Sequence, residues 1–209
     1  MSDTVTAFAP ASIGNVGVGF DMLGLALAGG AGDTVIATRS EAPGIAVAEV
    51  RGLDGEIHPY LSTDAKENTA SIAAQALWDA AGAAGGASLK VHKGVPLQSG
   101  MGSSAASAVA AVVAVNALLD EPLGHQELLP HALEGEKYAS GGLHADNVAP
   151  SLLGGLILCP TVLLPEIVRL PVPAGVSAVL LHPELQVNTA HARRGLAKGY
   201  SMEQWLQQQ

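Results

Sequence analysis

The run Val95–Ser107, VPLQSGMGSSAAS, constrains this chain more than any other segment, because it passes from an extended stretch through a Gly/Ser turn directly into an alanine-rich helix. Gly100 and Gly102 let the backbone approach a ligand closely. Ser103 and Ser104 place hydroxyls and amides at a helix N-terminus, where unpaired N–H groups and the helix dipole favour an anion such as phosphate. An ordinary capped helix, with Ser103 as the cap, is the plainer reading of the same residues. Gly100-x-Gly102-x-x-Ala105 also fits a relaxed dinucleotide fingerprint with Asp120 near the expected distance. However, Asp120-Glu121-Pro122 reads as the turn ending a helix, and no strand pattern follows before about Leu152. A Walker A loop is excluded, since Met101 stands where that loop needs its lysine.

At 209 residues the chain can form one full domain with its own core, or one domain and part of another. Hydrophobic content of 48% with only 3% aromatics implies a core of Ala, Val and Leu. No apolar run reaches the roughly 18 residues of a membrane span, and Met1-Ser2-Asp3-Thr4 lacks the basic start of a signal peptide. A cytoplasmic chain with no membrane partner is expected. The net charge of −9, with Lys and Arg scattered, argues against nucleic acid and leaves room for a small anion held by local geometry. The single Cys159 excludes a disulfide framework within one chain, and the histidines show no His-x-x-x-His pair, so no structural zinc is assigned.

Alternation predicts strands over Thr4–Ala9, Asp33–Arg39, Ile45–Val50, Ser88–Val95, Gly155–Cys159 and Val176–Leu181. Helical spacing predicts helices over Asn68–Ala81, Ser104–Leu119, His125–Tyr138, Ala149–Leu153 and Thr189–Lys198. Pro160, Pro165, Pro171 and Pro173 crowd a short stretch and mark a domain boundary. What lies beyond is too little for an independent two-layer domain, so the chain reads as cut short, with the apolar strand Val176–Leu181 prone to self-association or homodimer formation.

Three motifs together carry a resemblance: Pro10-Ala11-Ser12-x-x-Asn15-x-x-x-Gly19-Phe20-Asp21, the loop Pro96–Ala105, and Ser140-Gly141-x-x-His144-Ala145-Asp146-Asn147-Val148-Ala149-Pro150. The chain resembles the homoserine kinases of the GHMP small-molecule kinase superfamily, through Thr189-x-x-x-Arg193 almost to its end. The resemblance implies an α+β, two-layer fold. An N-terminal domain like domain 2 of ribosomal protein S5, with a left-handed βαβ unit, would occupy residues 1–165, and residues 166–209 would open a ferredoxin-like C-terminal domain. The family's C-terminal Gly-rich loop and a further substrate-binding arginine are not found. The implied reaction is ATP-dependent phosphorylation of the L-homoserine hydroxyl with Mg²⁺. Another small-alcohol kinase of the superfamily, or a non-catalytic nucleotide-binding or amino-acid-binding fragment, is the alternative.

The resemblance also implies roles. Pro96, Leu97, Gln98, Ser99, Gly100, Met101, Gly102, Ser103, Ser104, Ala105 and Ala106 would hold the nucleotide phosphates, with Asn68 and Lys93 near the adenine. Asn68 could equally cap a helix, and Lys93 could be an exposed charge. Ser104 and Glu136, which lies eight residues before His144, would ligate Mg²⁺, with Glu134 as the rival acid. Asn15, Asp21, His144, Thr189 and Arg193 would bind homoserine, Asp21 at its ammonium and Arg193 at its carboxylate. Asn147 stands where related mevalonate kinases carry a basic Asp, and an amide cannot take a proton that way. The implied mechanism is direct transfer, with His144 and Asn147 orienting the hydroxyl. Asp146 is the other candidate base.

Overall fold

The computed structural model describes residues 3–181, 195, 199 and 201–207, without the side chain of Trp205. In β1 (Thr4–Pro10), Ala7 and Ala9 face the core while Thr4, Thr6 and Phe8 face solvent, the period of two read in the sequence. Two short strands follow, β2 (Ser12–Ile13) and β3 (Leu23–Ala26), then the longer β4 (Gly32–Ser40) and β5 (Gly44–Arg51). Helix α1 (Thr69–Ala80) crosses from β5 to β6 (Gly86–His92), which pair in parallel. The first sheet has the order β1-β4-β6-β5, with its other pairings antiparallel. Val35, Ala37, Val47, Leu89 and Val91 line its buried face.

Helix α2 (Ser103–Asn116) carries only Ser, Ala, Val and a terminal Asn, and nearly all of it is buried. Small side chains let it run through the middle of the molecule, between the first sheet and the helices α1, α3 (Leu129–Ser140) and α4 (Ala145–Leu153). Gly135 makes the closest of these approaches possible. A Cβ there would lie 2.5 Å from the Thr69 carbonyl and 3.0 Å from Ala108 Cβ. The second sheet, β2-β3-β7-β8, is wholly antiparallel and adds β7 (Leu156–Leu158) and β8 (Val168–Leu170). A last helix, α5, spans Met202–Gln207. No helix of the described residues is long and apolar enough to cross a membrane.

Several boundaries differ from the sequence expectation for identifiable reasons. The expected strand Ser88–Val95 ends at His92: the Lys93 amide still donates to the Arg51 carbonyl at 2.9 Å, but those of Gly94 and Val95 turn to Asp33 Oδ1 at 2.9 and 3.2 Å. The expected helix His125–Tyr138 divides at Pro130: a 3-10 turn spans His125–Leu128, and α3 starts at Leu129 with proline in its first turn, where no N–H is needed. Helix α4 begins at Ala145 rather than Ala149 and accommodates Pro150 inside it. Strands β2 and β3 are too short to show alternation, and β8 lies among the prolines read as a boundary.

The strand expected over Val176–Leu181 is not formed. That segment is exposed and irregular, with no strand beside it among the described residues. The helix expected over Thr189–Lys198 lies outside the described residues, apart from Gly195 alone.

One buried polar cluster joins the parts. Asp33, fully buried at the start of β4, accepts from the Lys93 ammonium and from Ser107 Oγ at 2.6 Å, besides the two amides above. Lys93 also donates to Ser107 Oγ at 2.7 Å and to the Ser103 carbonyl at 2.8 Å. The ammonium therefore has three partners, and the carboxylate has four donors. Burial pushes the Lys93 pKa down, opposed by the charge and hydrogen bond of Asp33.

Removing one partner of such a pair leaves a buried charge uncompensated, at a cost of about 3–5 kcal/mol. Asp33→Asn and Lys93→Met should each lower the unfolding free energy by that order in urea denaturation. The double variant should recover a good part of the loss. If the two losses simply add, the pair is not coupled as described.

Candidate functional site

The segment Val95–Gly102 turns back on itself through its own side chains. Ser99 Oγ donates to the Pro96 carbonyl at 2.8 Å and accepts the Met101 amide at 3.3 Å, and Ser103 Oγ donates to the Val95 carbonyl at 3.0 Å. The Met101 carbonyl accepts the Ser12 amide of β2. Gly102, at φ 65°, is the N-cap of α2 and offers no side-chain cap, so the first amides of the helix open toward the cleft with its dipole behind them.

Ser103 and Ser104 then part company. The Ser103 hydroxyl is bound inward, whereas Ser104 Oγ donates to Glu136 Oε2 at 2.9 Å. Glu136 is only 7% exposed and reaches the cleft from α3, beside the Gly135 contact. Glu134 points to solvent and pairs with Lys137 at 3.6 Å. Of the two acids, Glu136 alone meets Ser104.

These groups line a cleft of about 550 Å³. Gln98, Ser99, Gly100, Gly102, Ser103 and Ser104 border it from the loop and the start of α2. Asn15, His144, Asp146 and Asn147 border it from the turn after β2 and the start of α4, with Asn147 against Gly102, where a Cβ would lie 2.9 Å from Asn147 Oδ1. His144 is the N-cap of α4, and its Nδ1 lies 3.6 Å from Asp21 Oδ1. Asp21, at φ 58°, donates its amide to Asn15 Oδ1 at 2.9 Å, and Asn15 sits at φ 55°. Asn147 takes the Ser12 hydroxyl on Oδ1 and on its own carbonyl, both at 3.0 Å. Burial pushes the Asp146 carboxyl up, the Asn15 amide holds it down, and the Asp21 charge raises it again.

Asn68 and Lys93 border the cleft too, but with their polar groups committed. Asn68 caps α1, accepting the Ala70 amide and donating to the Ser62 carbonyl. Lys93 belongs to the buried cluster rather than to the surface. It also walls a neighbouring cavity of about 250 Å³, which shares Leu97 with the cleft and is lined by His58, Pro59 and Pro96. Pro96, Met101, Ala105 and Ala106 shape the loop and the helix start without bordering the cleft. Thr189 and Arg193 lie outside the described residues.

Sequence reading missed the supports: Asp33, Ser107, Ser12 and Gly14. A signal existed for Asp33, because it shares the buried face of β4 with Val35 and Ala37, and an acid there requires partners. Ser12 stands in the first motif and Ser107 in the run Val95–Ser107, but nothing in the sequence marks either as a support.

Residues 68–155 match the model of the GHMP kinases N terminal domain. The chain is 45% identical over 202 residues to a homoserine kinase of Xanthomonas campestris pv. campestris, covering 97% of this chain and 60% of the relative. It is 44% identical over 194 residues to one of Xylella fastidiosa, covering 58% of that protein. The chain thus spans about three fifths of the length of these curated relatives. Among solved structures, the homoserine kinase from Cytophaga hutchinsonii superposes with a TM-score of 0.87 at 40% identity, over all of this chain and 64% of that one. A mevalonate kinase from Methanococcus jannaschii, at 14% identity and a TM-score of 0.60, shares the fold. Sequence, fold and loop agree, and the chain belongs to the GHMP kinase family, whose N-terminal domain it carries.

Proposed function

We propose that this chain is the larger part of an enzyme that transfers the γ-phosphoryl group of ATP to the hydroxyl of L-homoserine, giving O-phospho-L-homoserine. The observation that carries the reading is the arrangement of one cleft. The uncapped start of α2 and the Ser104–Glu136 contact share its wall with His144 and Asn147, and Asp21, outside the lining itself, faces His144 at 3.6 Å. An anion fits the helix start, and a small ligand with a cationic group fits beside His144 and Asp21. The relatives named homoserine kinase support the choice of acceptor. We assign the nucleotide-binding unit to residues 1–165 and the opening of a second domain to the remainder.

The amides of Gly100, Gly102, Ser103 and Ser104, which border the cleft, hold the phosphates in place of water, preorganised where negative charge develops. A carboxylate and a hydroxyl in contact, both hard oxygen donors, suit Mg²⁺, which keeps waters and phosphate oxygens as its other ligands. Ser104 and Glu136 would hold it, and when bound it neutralises phosphate charge. Asp21 pairs with the substrate ammonium, and His144 and Asn147 orient the hydroxyl. Asn147 presents an amide, which accepts no proton, so positioning and charge stabilisation carry the step.

Incubation of the full-length enzyme with MgATP and each of L-homoserine, mevalonate and galactose, read by mass spectrometry, should give phosphorylated product from homoserine alone, whereas the present chain by itself should bind nucleotide and give little or no product. Product from mevalonate or galactose instead would overturn the assignment. Nucleotide binding with no product from any acceptor would select the non-catalytic alternative.

Asp21→Asn should weaken L-homoserine binding by ten- to a hundredfold, the loss of a charge-assisted hydrogen bond worth roughly 1.5–3 kcal/mol. The affinity for a non-hydrolysable ATP analogue should stay as it is. Equal loss of both affinities in calorimetry would make Asp21 a structural residue.

A further inference from the structure

Asp146 is the one buried acid of the cleft to which the proposed reaction gives no task. It is only 2% exposed, and its Oδ2 accepts the Asn15 amide at 3.0 Å. The backbone at Gly14 lies directly over that oxygen. A Cβ on Gly14 would collide with Oδ2 and come within 2.6 Å of Asn147 Nδ2. The carboxylate is therefore roofed by Gly14 and Asn15, and its Oδ2 is already an acceptor.

The turn it holds needs holding. Asn15 and Asp21 are both non-glycine residues in the left-handed region, at φ 55° and 58°. Asn and Asp adopt this region more readily than other side chains, but at a cost, and the conformation persists where the surroundings fix it. Asp146 fixes Asn15, and Asn15 Oδ1 in turn fixes the Asp21 amide. Asp146 is itself anchored in the first turn of α4, where the helix dipole favours a carboxylate. His144 and Asn147 come from the same turn. One helix start thus sets both the imidazole and, through Asn15, the carboxylate that faces it at 3.6 Å.

We infer that Asp146 is a positioning residue: its carboxylate holds the Asn15 amide, and with it the turn that carries Asp21, and takes no proton from the acceptor hydroxyl. The role in substrate binding rests on the homoserine reading above; the hold on Asn15 does not. Asn at this position keeps an oxygen acceptor without the charge, whereas Ala keeps neither.

The test compares wild type, Asp146→Ala and Asp146→Asn, in this chain. Calorimetry measures affinities for L-homoserine and for the ATP analogue AMP-PNP, and 15N–1H spectra follow the Asn15 and Asp21 amides. Asp146→Ala should weaken homoserine at least tenfold, leave AMP-PNP within twofold, and shift both amide resonances. Asp146→Asn should restore most of the affinity and both resonances. Equal loss in Asn and Ala, parallel loss of both ligands, or unmoved amides or unchanged homoserine affinity in Ala would each overturn the role. If Asp146→Ala does not fold, Asp146→Asn decides alone: retained homoserine affinity upholds the role and lost affinity overturns it. If the wild type does not bind homoserine, the substrate reading falls, and the amide resonances alone decide whether Asp146 holds the turn.

Discussion

The ion pair of Asp33 and Lys93 is the constraint on which the site depends. It joins the first residues of β4, the end of β6 and the first turns of α2 through six hydrogen bonds around two buried charges. Each bond removes a freedom the loop between β6 and α2 would otherwise have. The Gly94 and Val95 amides, turned to Asp33, end the strand and start the loop. The Ser103 carbonyl and Ser107 hydroxyl, turned to Lys93, set the axis of α2. A buried pair of this kind adds little net stability over a well-packed apolar core, but it tolerates few alternative arrangements once formed.

The cleft is assembled from segments far apart in the chain, each brought in by backbone packing. Gly135 allows α3 to lie against α1 and α2, and so delivers Glu136 to Ser104. Helix α4 packs on β3 and α2, and its first turn delivers His144, Asp146 and Asn147. Ser12 ties β2 to Met101 through its amide and to Asn147 through its hydroxyl, so the loop before α2 and the start of α4 share one buried serine. The all-small composition of α2 is what lets these elements meet around one helix.

The long elements were legible because their patterns are periodic. The alternation of β1 and β4, the apolar spacing of α1 and the uninterrupted apolar run of α2 each name their structure. The loop from Pro96 to Ser104 was legible as well, since glycines and serines before a helix have few uses. What stayed hidden depends on partners distant in sequence. Lys93 reads as a strand-end charge until Asp33 is seen beneath it. Asn68 reads equally as cap or ligand, and it caps. Pro150 reads as a helix start, although tertiary packing lets the helix begin at Ala145. Val176–Leu181 has the composition of a strand, but a strand forms where a neighbour supplies the ladder, and none of the described residues does so there.

The most direct measurement is a crystal structure of this chain with Mg²⁺ and AMP-PNP. The account predicts the β- and γ-phosphates on the amides of Gly100, Gly102, Ser103 and Ser104, Mg²⁺ held by Ser104 and Glu136, and the γ-phosphate beside Asn147 and His144. A triphosphate lying elsewhere, or a metal ion bound away from Glu136, would contradict it.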